Sequence, residues 1–105
     1  MTNIVIARDF SKTPFGRYIS DSPNSAERFR REFLVPALKN ETEQLVVDFR
    51  GAMGVGSSFL EEAFGGLVRR EGVDKSDLRK RLIIQSDMPY YKELIDRFID
   101  QATPS

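Results

Sequence analysis

The segment from Leu45 to Val68 constrains this chain more than any other. Leu45-Val46-Val47-Asp48-Phe49 is an apolar run of strand length, rich in β-branched and aromatic residues. Gly51, Gly54 and Gly56 follow, and then Phe59, Leu60, Ala63, Phe64, Leu67 and Val68 recur at helical spacing. The pattern predicts a buried strand, a glycine-rich connector and an amphipathic helix that starts at Ser57 or Ser58. A strand buried on both sides that hands over to a helix is the repeating unit of α/β folds.

The rest of the chain extends that reading. Ile4-Val5-Ile6 reads as a first strand and Leu82-Ile83-Ile84-Gln85 as another. The stretch from Asp9 to Asn24 is rich in Ser, Pro, Gly and Asp. Two short strands are expected within it, near Phe10 and around Arg17-Tyr18-Ile19, with a turn at Pro14-Phe15-Gly16. A helix should begin near Pro23 to Ser25. Ser22, Asn24 and Ser25 are candidate caps there, and Asn24-x-x-Glu27 has a capping-box layout. Pro36 has no N–H to donate and crowds the preceding turn, so a kink or a break is expected at that point. Asn40 to Glu43 reads as a polar loop and Asp74 to Arg81 as a helical turn. A last helix follows, with Pro89 near its first turn and Tyr91, Leu94, Ile95, Phe98 and Ile99 on its buried face. Gly65 and Gly66 stand inside a helical pattern at about 1 kcal/mol each relative to Ala, so another group should approach the backbone there. Gly72 should end that helix. The expectation is one α/β domain over residues 1–105, a small mixed β-sheet with central parallel strands covered by about three helices.

What the chain lacks narrows its chemistry. It has no cysteine and no histidine. Disulfides, thiolate nucleophiles, thiolate zinc sites and every Ser–His triad are therefore excluded, and so is the commonest general base. No metal site, no cofactor and no enzymatic activity are expected. Lys plus Arg and Asp plus Glu are both 16, giving no net charge. Nucleic-acid binding, which leans on a basic surplus, is disfavoured. Met1 to Phe10 has Arg8 and Asp9 within it and no signal-like apolar run, and no stretch has the roughly 20 apolar residues of a membrane span. A cytoplasmic location without membrane association is expected, which makes the sequon Asn40-Glu41-Thr42 a chance match.

Several residues admit a functional reading beside a plain one. Ser57 or Ser58 serves either as an ordinary helix cap or as a place where phosphate is carried at a helix N-terminus. Gly51-x-x-x-x-Gly56-Ser57-Ser58 has P-loop spacing, but Ser57 stands where the phosphate-gripping Lys belongs. Arg69-Arg70 and Arg79-Lys80-Arg81 read as solvated helix faces before they read as phosphate sites. Glu61-Glu62 resembles an acid–base pair, yet neighbours along a helix do not face each other. Tyr90-Tyr91 reads as packing plus one exposed ring, and the eight phenylalanines mostly as core.

The same segment resembles a known family. Leu45-Val46-Val47-Asp48-Phe49-Arg50-Gly51, followed by Val55-Gly56-Ser57-Ser58-Phe59-Leu60, is similar to the central motif of STAS domains, the anti-sigma-factor-antagonist fold. It departs from that motif at Gly56, where the family has Asp, and at Phe59, where it has Gly. Ser57 to Gly65 looks closer to the bacterial STAS-like domains of unknown function, as do the Gly16-Arg17, Phe29-Arg30 and Pro36 regions. The resemblance implies a regulatory protein-interaction module. Ser57 and Ser58 would be candidate phosphoacceptors, and Gly54, Val55, Gly56, Phe59 and Glu61 would form the partner- or anion-binding surface. The implied partner is a histidine-kinase-like ATPase or an anti-sigma-type regulator. The alternatives are a module that binds a nucleotide or phosphate ligand at the same helix end, and a structural partner subunit of an ATPase.

Overall fold

Three short strands form one parallel sheet in the computed structural model, which describes residues 1–40 and 43–104. They are β1 (Thr2–Val5), β2 (Leu45–Asp48) and β3 (Leu82–Gln85), hydrogen-bonded in that order. The register sets Ile4 beside Val47 and Val47 beside Ile84. Side chains alternate across a strand. Ile4, Leu45, Val47, Leu82 and Ile84 thus share the face that joins the hydrophobic core. Parallel neighbours in sequential order need crossover connections, and crossovers of the usual right hand carry their helices to the same face.

Those helices cover the core face. A helical turn, α1 (Ile6–Asp9), follows β1 directly. Helix α2 spans residues 26–40, with a π-helical turn at Arg30–Leu34 between two α-segments. Helix α3 spans residues 57–69 and carries its own π turn at Glu61–Gly65. A short helix α4 (Lys75–Arg81) runs into β3, and α5 (Tyr90–Gln101) follows it. Phe29, Phe49, Phe59, Phe64, Leu60, Leu67 and Ile95 are among the largest fully buried side chains. Phe10, Phe29, Phe33 and Phe59 pack ring against ring, with centroids 5.1 to 6.5 Å apart. Such pairs add about 0.5–1.5 kcal/mol beyond their buried area.

The family of elements matches the expectation, and three details differ. The two extra strands near Phe10 and Arg17-Tyr18-Ile19 are absent, so the sheet is wholly parallel. In their place Asp9 folds back to accept the Val5 N–H at 2.8 Å, closing α1, and residues 11–24 form a bonded loop. The helix start is capped by Ser25, whose hydroxyl accepts the Arg28 N–H. Glu27 does not close the box with Asn24 but takes the N–H of Ile19 at 2.9 Å. Pro36 neither ends nor breaks the helix. The π turn precedes it, and Pro36 falls in the first turn of the following α-segment, where a missing donor matters least. Phe15 is a further exception, a phenylalanine 62% exposed rather than in the core. Residues 41 and 42 of the sequon and of the expected Asn40–Glu43 loop lie outside those described, and Asn40 ends α2.

Candidate functional site

The connector between β2 and α3 leaves the sheet at its carboxyl edge, where the loops after β1 and β3 also emerge. Asp48, buried at the end of β2, holds this edge together. Its carboxylate accepts the Arg50 backbone N–H at 2.9 Å and a paired grip from the Arg50 guanidinium at 2.8 and 3.0 Å. The Arg50 side chain also reaches Gln85 on β3 at 3.2 Å. These bonds to Arg50 hold the Asp48 carboxyl below the usual carboxylate range, against the opposing effect of burial. Gly51 and Gly54 both adopt positive φ, +89° and +68°, which lets the chain reverse twice within four residues. The Met53 N–H bonds the Lys12 carbonyl at 2.7 Å, tying the connector to the loop after β1.

Helix α3 begins at Ser57, and its N-cap is Gly56. The expected capping role of a serine is therefore not realised: Ser57 and Ser58 are already helical and exposed, and no side chain caps the helix. Gly56 has an ordinary extended backbone, φ −89° and ψ 164°, with nothing within 4 Å of where a Cβ would stand. Gly54 and Gly56 are exposed beside the serines, and Met53 is 68% exposed on the same connector. Val55 and Phe59, grouped with them from the sequence, point into the core at 6% and 1% exposure and present no side chain to a partner. Among the described residues, no group of three or more acidic side chains is arranged to hold a metal ion. Two grooves are present elsewhere. One runs between α4 and α5, lined by Leu78, Arg79, Leu82, Lys92, Asp96 and Asp100, and the other between Glu61, Arg69 and Phe98; neither includes residues 54–58.

Glu61 belongs to a different feature, one the sequence did not foreshadow. Glu62 is buried, and its carboxylate receives Arg30 at 2.9 Å, Arg70 at 2.8 Å and Arg69 at 3.4 Å. Arg30 is itself buried, and it also donates to the Glu62 carbonyl and to Glu71. Glu61 takes Arg17 at 2.7 Å and Arg69 at 2.8 Å. Burial disfavours ionised Glu61, but the bonds from Arg69 and Arg17 outweigh it and lower its pKa on balance. Every carboxylate in the network is thus matched with guanidinium groups, as buried charge requires. Glu61 and Glu62 are not an acid–base pair. Arg69 closes ion pairs on its own helix, while Arg70 pairs with Glu62 through Nε and keeps an exposed side chain, as the solvated-face reading expects. The only hint in the sequence was the pair of glycines one turn beyond Glu61-Glu62. The Arg30 guanidinium lies against Gly66, and Glu61 and the Phe98 carbonyl lie against Gly65.

Comparison with known proteins gives one match. The family model of the STAS-like domain of unknown function (DUF4325) matches residues 25–92, from the N-cap of α2 to the first turn of α5. No curated protein and no solved structure matches the chain. The matched region takes in all of α2, β2, the glycine connector, α3, α4 and β3, well over half of the 105 residues. The chain therefore belongs to the STAS-like domains of unknown function.

Proposed function

We propose that this domain is a regulatory protein-interaction module whose partner docks on the connector and helix start around Gly54, Gly56, Ser57 and Ser58. The observation that carries the reading is Gly56. Its backbone is one that any residue adopts and its surroundings are open, so local structure makes no demand for glycine there. Asp, Asn or Ser in its place would cap the helix and add a few tenths of a kcal/mol. A bare cap instead leaves the first N–H groups of α3 and two serine hydroxyls reachable by another molecule. The exposed Met53 beside them supplies an adaptable apolar contact. A phosphate on Ser57 or Ser58 would sit at the positive end of the helix dipole, where negative charge is favoured by about 0.3–1 kcal/mol. It would bring about −1.5 to −2 charges to the docking surface and so alter partner affinity.

The reading is of a module without catalytic machinery, partnered by a histidine-kinase-like ATPase or a comparable regulator. A nucleotide-binding module is the weaker reading. The helix end is open to solvent, Ser57 replaces the lysine of a P-loop, and neither groove lies beside it. The test is Gly56→Gln, which fills the open space at the helix start without backbone strain. It should stay folded, losing no more than about 1 kcal/mol because Gln caps a helix less well than Gly, and should lose the proteins that co-purify with the wild-type domain from its own cells. Full retention of those proteins by a normally folded variant would refute the reading.

A further inference from the structure

A second surface lies on the loop after β1. Phe15, Tyr18 and Ile19 are 62%, 39% and 52% exposed, yet their backbone is held at each step. The Phe15 N–H bonds the Asn24 carbonyl at 3.0 Å, and Gly16 and Arg17 carbonyls accept the first N–H groups around α2 at 2.9 Å each. The Tyr18 and Ile19 N–H groups bond the carboxylates of Asp21 and Glu27 at 3.0 and 2.9 Å. Gly16, at φ +91°, makes the reversal that turns the loop outward. These apolar side chains are therefore held out in water by a bonded frame, at a cost that an isolated domain has no reason to carry. A preordered surface loses little entropy on binding.

The charge beside them has a direction. The connected network contains four arginines (Arg17, Arg30, Arg69, Arg70) and three glutamates (Glu61, Glu62, Glu71); with the exposed Asp21 of the same loop the formal charges balance, so the direction comes from how the groups are placed. Its carboxylates are turned inward, with side-chain exposures of 26%, 1% and 24% in that order, while Arg17 and Arg70 face outward at 38% and 45%. Both stand at the Glu62 carboxylate, 3.6 and 2.8 Å away. Arg17 makes its ion pairs through Nη1 alone, and Arg70 makes its own through Nε while its guanidinium lies 5.7 Å over the Tyr18 ring. Each retains N–H donors that form no ion pair among the described residues.

We infer that Arg17, Arg70 and the exposed Phe15, Tyr18 and Ile19 form a docking surface for an acidic, apolar segment of a partner protein, whose carboxylates meet the two guanidinium groups. Arginine beside exposed aromatic side chains is the composition of interface hot spots, and the planar fork of arginine fits carboxylates. An anionic membrane is a poorer match. The chain has no net charge, and recognition of acidic lipid takes a cluster of about four or more basic residues, where this surface offers two exposed arginines. The surface adjoins the helix start, since Glu61, the partner of Arg17, stands one turn after Ser57, but it does not depend on that site's role.

The test is fluorescence polarisation of the full chain with labelled short peptides of matched apolar content that are acidic, neutral or basic, together with sedimentation on vesicles of equal phosphatidylcholine and phosphatidylserine. Acidic peptides should bind best. Arg17→Gln should weaken them about tenfold, the loss of one charge-assisted contact. Ile19→Ser, at an exposed site without structural role, should weaken acidic and neutral peptides alike. Gly56→Gln, which brings no charge, should change neither, so failure here is distinct from failure at the helix start. Equal binding of all three peptide classes would overturn the inference. So would acidic peptides bound equally by Arg17→Gln, or vesicle binding without peptide binding.

Discussion

Gly66 is the seat of the Arg30 guanidinium: a Cβ added to Gly66 would stand 2.6 Å from Nη1 of Arg30 and 3.2 Å from its Cδ and Cζ. Helix α2 reaches α3 through this contact, and a buried, three-way bonded arginine has no room to withdraw. Gly66→Ala should therefore destabilise the domain by about 1–3 kcal/mol, the range for overpacking, despite a propensity gain near 1 kcal/mol. Urea melts that show equal or greater stability would remove the packing explanation for the glycine pair.

Removing Glu62 should be among the most damaging single changes in the protein. Glu62→Leu leaves Arg30 buried with its main charge partner gone, a situation that typically costs about 3–5 kcal/mol. The double change Glu62→Leu with Arg30→Met should recover much of that loss, because the stranded charge goes with its partner. Additive losses in a double-mutant cycle of denaturant melts would show that the two residues act independently.

Asp48 at the carboxyl edge of the sheet and Glu61 in the network both contribute to the acid limb of stability. Asp48 and Glu61 are both held below their ordinary pKa in the folded protein. Each therefore contributes stability that is fully present above its unfolded value, near 4, and lost as pH falls through the lower folded value. Stability should stay level from neutral pH to about 5 and then decline in acid. Asp48→Asn should lower stability at neutral pH and flatten the acid decline. An unchanged slope in that variant would contradict the assignment.

The architecture was legible because each β-like run and each 3.6-residue pattern was long enough to speak for itself. Leu45 to Phe49, Leu82 to Gln85 and the stripe from Phe59 to Val68 all appear where the pattern puts them. Ser25, Gly72 and Asp74 mark helix ends by local chemistry alone, and they do so here. The loop from residue 11 to 24 was misread because tertiary bonds to Asn24 and Glu27, not alternation, decide its course. The Arg30–Glu62 pair was invisible for a related reason. Its members are 32 positions apart, and helical periodicity assigns a charged residue to the surface unless a partner is known. At the candidate site, the helix start at Ser57 was readable. The burial of Phe59 follows from its place in the apolar stripe, whereas the motif resemblance groups it and Val55 with the exposed docking residues.

If the proposed docking site is right, charge at the start of α3 governs what the domain binds. The direct measurement compares wild type, Ser57→Ala and Ser57→Asp for the quantity of each protein co-purified from the native cells, with phosphate on Ser57 and Ser58 mapped in the wild type. Because Gly56 and not Ser57 is the N-cap, both variants should melt within about 0.5 kcal/mol of wild type. The wild type should carry phosphate on one of the two serines, and at least one partner should be held by Ser57→Ala but lost or exchanged by Ser57→Asp. Identical partners for all three proteins, with no phosphate at either serine, would contradict that role of charge.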